Sequence, residues 1–196
     1  MQDPLLEWLK ERLYADRDPQ EVWASPPAEL VPEEQRAVVE SRGPAQQLLE
    51  IWHQLRRSGV APPREDALQV LGLLVEIGFP EGPDTVAAYM DGSSQFLSRE
   101  GVALMGEDPR PEVEEAARHL IAVAGAFVYR ARRMHLPRKP PGPQMVQFTF
   151  LTPSGPLLSS CSKTVLRSGH GELSALFEPA AELIERKVEG LDDSTG

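Results

Sequence analysis

Apolar and polar positions alternate in two distinct rhythms along this chain. Up to residue 136 the rhythm is helical, and several starts carry a capping residue followed by Pro, whose fixed φ and missing N–H suit the first turn. Asp3-Pro4, Asp18-Pro19 and Pro32 predict helices over 3–14, 18–24 and 32–41. Gly43-Pro44 leads another to Gly59, with Leu48, Leu49, Trp52 and Leu55 on one face. Residues 64–77 are apolar nearly all round (Ala67, Leu68, Val70, Leu71, Leu73, Leu74, Val75, Ile77), which predicts a central buried helix. Gly82-Pro83-Asp84 predicts a further helix through Tyr89. The longest is expected from Asp108-Pro109 to Met134, with Glu112, Glu114 and Glu115 in its first turns and Arg130, Arg132 and Arg133 in its last, complementing the helix dipole.

Beyond this point the rhythm changes. Leu136-Pro137-Arg138-Lys139-Pro140-Pro141-Gly142-Pro143 predicts a stiff extended connector. Met145–Leu151 alternates, with Val146, Phe148 and Phe150 on one face and Gln147 and Thr149 on the other, as in a half-buried strand. Thr152-Pro153-Ser154-Gly155 is a turn, Leu157–Leu166 a second strand, and Glu178-Pro179 opens a last helix to Glu189. The expected fold is therefore mainly α with a small α+β C-terminal unit. It comprises a bundle of about six helices over 1–136, a connector over 137–143, a ββα unit over 144–190 and a tail over 191–196.

A two-stranded hairpin is marginal in water, and one short helix covers only one of its faces. The connector is expected to hold the hairpin away from the bundle, so another protein is the expected partner: a second copy of the chain completing a four-stranded antiparallel sheet, with strand addition from a different protein as the alternative.

Charge adds a second feature. Residues 1–115 hold 23 acidic and 10 basic side chains, residues 116–171 none acidic and 8 basic, and residues 172–196 hold 7 acidic and 2 basic, within a net −10. Arg130, Arg132, Arg133, Arg138 and Lys139 fall within ten residues and form a candidate partner-binding patch, to which Trp23, before Ser25-Pro26-Pro27, is a candidate exposed addition. Nucleic acid is a poor match for this patch, because the rest of the chain would repel a polyanion.

Catalytic patterns are weak. Ser160-Cys161-Ser162-Lys163 matches the spacing of serine acyl-enzymes, which need Ser and Lys one helical turn apart; a strand would point them to opposite faces. Cys161, the only cysteine, is expected on the apolar face with Leu157 and Val165 as a buried structural thiol. His170 between two glycines reads as a turn residue, and His53 and His119 find no second histidine at ligand spacing. No metal, cofactor or catalytic residue is expected. The N-terminal residues show no basic leader with an apolar stretch, and no run approaches membrane-spanning length, so a cytoplasmic location is expected. The reading is a non-enzymatic interaction or regulatory protein, in one version an acidic inhibitor or immunity-type protein. The alternative is an enzyme whose site is assembled from scattered residues.

Overall fold

Gly72-Leu-Leu-Val-Glu-Ile-Gly-Phe decides the architecture, and it does so as a strand. The computed structural model describes residues 44–104, 108–134, 139–169 and 171–192. The helices expected over 3–14, 18–24 and 32–41 lie outside the described residues, as do Trp23, Arg138 and His170. In chain order the described elements are α1 (Ala45–Arg57), β1 (Gly72–Phe79), β2 (Gly82–Tyr89), β3 (Ser94–Leu97), β4 (Ala103–Leu104), α2 (Pro111–Gly125), β5 (Arg132–Arg133), β6 (Met145–Thr152), β7 (Gly155–Ser162), α3 (Lys163–Arg167) and α4 (Ser174–Asp192). A 3-10 turn, Val128–Arg130, follows α2.

The seven strands form one antiparallel sheet in the order β4-β3-β2-β1-β6-β7-β5. This corrects the expected bundle of about six helices. β1 is flanked by β2 and β6 and covered on both faces, so its apolar side chains need not alternate with polar ones. Such a run has the same sequence signature as a buried helix. The residues expected as a helix from Gly82 form β2, the partner of β1 in a hairpin.

On one face, Leu73, Val75, Val86, Phe148 and Phe150 pack against Val113, Ala117 and Leu120 of α2 and Leu176 and Leu183 of α4. On the other, Leu74, Ala87, Tyr89 and Leu151 pack against Leu48, Leu49, Trp52 and Leu55 of α1, the face that the helical spacing predicts. A polar row shares this second face: Thr85, Glu76, Gln147 and Ser160 stand in register across β2, β1, β6 and β7.

The hairpin falls where it is expected, but it is not free. Val146, Phe148 and Phe150 are 0% exposed in the chain's own core, and β6 is bonded on both sides. The need for a second copy to cover that strand is thus removed. The connector does not hold the hairpin away either, because the Pro141 and Gly142 carbonyls press onto Gly78 of β1. One sheet runs through both segments of the chain.

α2 begins on Pro111 with Glu112 and Glu114 in its first turn, but it stops at Gly125 with no basic residue in its last. Gly lowers helix propensity by about 1 kcal/mol, and the chain turns so that Val128 enters the core, 3% exposed. Arg132 and Arg133 therefore stand on a strand rather than at a helix terminus.

α1 has no side-chain cap of its own. Asp91, in the turn between β2 and β3, supplies one: its Oδ2 accepts from the Ala45 N–H at 2.7 Å, and its Oδ1 accepts from the Ser93 N–H and hydroxyl. Burial alone would raise the Asp91 pKa, but the hydrogen bonds from Ser93 and Ala45 outweigh it and hold the group below its ordinary value. Asp91→Ala is expected to cost about 1 kcal/mol in urea denaturation. Because the folded pKa is depressed, that contribution should shrink as pH falls through it.

Candidate interaction surface

Two chain segments far apart in sequence meet at the C-terminal end of α2. One is the link between α1 and β1, folded by hydrogen bonds from Asp66 N–H to the Pro63 carbonyl and from Gln69 N–H to the Asp66 carbonyl, and held to the β6–β7 turn by Ser154 N–H on the Ala67 carbonyl. The other is the end of α2 with its 3-10 turn. Between them lies a solvent-open depression of about 590 Å³. Val70, Ile121 and Val128 are buried at its base, Ala122 and Gly125 form the α2 wall, and Glu65, Asp66, Leu68 and Gln69 the other. Tyr129 is 65% exposed and Leu68 42% exposed at its margin. A Cβ on Gly125 would meet nothing within 4 Å.

The expected basic patch is partly neutralised and partly divided. Arg130 forms an ion pair with Glu172; that hydrogen bond raises the guanidinium pKa and lowers that of the carboxyl. Arg132 and Arg133 are exposed opposite Leu158 and Leu157 of β7, and the strand's alternation sends them to opposite faces of the sheet. Neither has an ion pair among the described residues. The Lys139 carbonyl accepts from Gln147 Nε2 at 3.4 Å, and the residue is exposed. At a sheet edge, exposed charge of this kind also prevents pairing with other chains.

Lys163, Ser160, Ser162 and Cys161 make contacts within the fold. Lys163 opens α3, donates from Nζ to the Gly78 carbonyl and lies 3.6 Å from the Phe79 ring centroid, with Arg99 over the same ring at 4.0 Å. Burial lowers its pKa, with a further contribution from Arg167. Ser160 is across from Gln147 in the sheet, and Ser162 caps α3 by accepting from the Val165 N–H. Because β7 ends at Ser162, Val165 is helical and 42% exposed rather than beside Cys161. Cys161 is half-buried against the core, and burial pushes its thiol pKa up. Cys161→Ala is expected to cost about 1 kcal/mol, and thiol labelling of the native chain should be slow compared with that of the unfolded chain.

Among the described residues there is no group of three side chains that could hold a metal ion, and no helix is long and apolar enough to cross a membrane. Sequence reasoning missed the depression because it placed Leu68 on a buried helix and Tyr129 on a continuous one. The one legible signal was Gly125, a helix breaker followed by Phe127, Val128 and Tyr129. Compared with family models, curated proteins and solved structures, the chain matches none.

Proposed function

We propose that this chain is a non-enzymatic binding protein that holds a short segment of another protein in the depression beside Tyr129. The observation that carries this reading is a depression flanked by two exposed anchors, Tyr129 and Leu68, above the buried Val70, Ile121 and Val128. Tyr supplies a large amphipathic contact at low entropic cost, and binding sites are concave and mostly apolar with a few polar groups. The polar groups here are Glu65, Asp66, Gln69 and the Tyr129 hydroxyl, and among the described residues no cysteine, serine or histidine lines the depression. That set suits recognition better than the enzymatic alternative. A cytoplasmic location belongs to the same proposal and fits the single free thiol.

The test uses the open space at Gly125. Gly125→Gln adds a side chain to the wall of the depression at a helix terminus where its Cβ would meet nothing within 4 Å, so folding should be unchanged. A partner captured by the native chain should be lost with this variant at an unchanged thermal midpoint. Equal capture by both would place the interaction elsewhere.

Arg132 and Arg133 motivate a second reading, contact with an acidic surface at the β5 edge. Changing both to Gln should alter stability by less than about 0.5 kcal/mol. If the edge is an interface, the same change should weaken binding and flatten its salt dependence.

A further inference from the structure

We infer that the segment held in the depression is cationic as well as apolar: an aliphatic or aromatic side chain seated on Ile121 and Val128, next to a Lys or Arg that meets Glu65 and Asp66. This rests on the reading of the depression as a protein-binding site. The two walls differ in charge. Glu65 and Asp66 are exposed on one, and neither carries an ion pair among the described residues, whereas Ala122 and Gly125 on the other are neutral. Arg64, next to Glu65 in the chain, is exposed, does not line the depression and forms no ion pair with either carboxylate among the described residues, and Arg130 is engaged by Glu172.

Rim charges of this kind act on specificity and encounter rate more than on raw affinity. The net charge of −10 adds attraction for a basic partner at longer range. An acidic segment or a phosphate would meet repulsion at the same wall. A purely apolar segment would leave both carboxylates without a partner. The apolar base supplies adhesion and the acidic wall selects what is adjacent.

The test uses the whole chain and three capped tetrapeptides at millimolar concentration, Leu-Arg-Leu-Arg, Leu-Glu-Leu-Glu and Gly-Arg-Gly-Arg, read by amide NMR shifts of Leu68, Ala122 and Gly125. The first peptide should shift these amides saturably. Its affinity should fall about fivefold in a Glu65→Gln, Asp66→Asn double variant, the size expected for two exposed charge contacts, and it should be lost in Gly125→Gln. Equal binding of Leu-Glu-Leu-Glu would overturn the charge inference while leaving the depression as a binding site. Equal binding of Gly-Arg-Gly-Arg would overturn the apolar half. If none of the peptides moves these amides, both the inference and the reading beneath it fail.

Discussion

Gly78→Ala is expected to destabilise the chain by about 3 kcal/mol, an unusually large loss for the addition of one methyl group. A Cβ at this position would lie 2.1 Å from the Gly142 carbonyl oxygen and 2.8 Å from both the Gly142 carbon and the Pro141 oxygen. These are backbone atoms, so no side chain can swing aside. The connector cannot easily withdraw, because its end is tied down: Met145 N–H donates to the Gly142 carbonyl and Lys163 N–H to the Gln144 carbonyl, each at 2.9 Å. The strand cannot easily withdraw either, since β1 is paired with β2 from Gly72 to Phe79 and with β6 up to the neighbouring Ile77. Gly142→Ala is the control, because a Cβ there meets nothing within 4 Å. Urea denaturation should show a large fall in midpoint for Gly78→Ala and little change for Gly142→Ala. A loss below about 0.5 kcal/mol at Gly78 would mean that the connector lifts off the sheet freely.

That contact also shows why the fold was only half legible in the sequence. Where an element has one wet face, its period survives: α1 buries the Leu48, Leu49, Trp52 and Leu55 stripe that the spacing predicts, and the 145–162 hairpin lies within a residue or so of expectation at its turn. Where an element is covered on both faces, the period vanishes. Leu73, Leu74 and Val75 of β1 are each 0% exposed, and nothing in their order separates a central strand from a buried helix.

The Pro signals failed for a different reason. Gly82-Pro83-Asp84 has the residues of a helix start, yet the Asp84 carboxylate accepts from the Arg99 N–H at 2.8 Å and from its guanidinium, a partner fifteen residues away. Capping chemistry was present but was used across strands. Charge segregation is visible in the sequence, but its causes lie partly in the fold. Part of the acid-free stretch is the buried β6, and two of its arginines reach back into the flanking acidic segments, Arg118 to Glu114 and Arg130 to Glu172. Apart from the helix break at Gly125 the depression had no linear signal, because its walls come from residues 65–70 and 121–129, which the α2 packing on the sheet brings together.

Asp108→Asn is expected to cost about 3 kcal/mol, and most of that cost should arise on a different element. Lys187 of α4 is buried, with its side chain 2% exposed; its Nζ lies 3.6 Å from the Asp108 carboxylate and donates to the Ser94 carbonyl at 3.1 Å. Burial pushes the Lys187 pKa down, and Asp108 partly offsets that. Removing the carboxylate strands a buried ammonium on a single carbonyl, and breaking one side of a buried pair typically costs about 3–5 kcal/mol. Lys187→Met removes the charge while keeping the stem, and it leaves Asp108 with its two hydrogen bonds from the Arg110 guanidinium, so it should cost under about 1.5 kcal/mol. The double variant should match Lys187→Met. The pH dependence follows from the same cluster. The Arg110 hydrogen bonds hold the Asp108 pKa down at about 2, against about 3.9 when unfolded. The unfolded chain therefore takes up the proton first, and the stability due to this carboxylate is fully present above about pH 4 and lost as pH falls toward 2. Asp108→Asn has no such proton to take. In urea denaturation at stepped pH, the gap between native chain and variant should be widest near neutrality and narrow between about pH 4 and pH 2, while other carboxylates cancel in the difference. A gap that stays constant with pH, or a Lys187→Met variant less stable than Asp108→Asn, would show that the two side chains do not depend on one another.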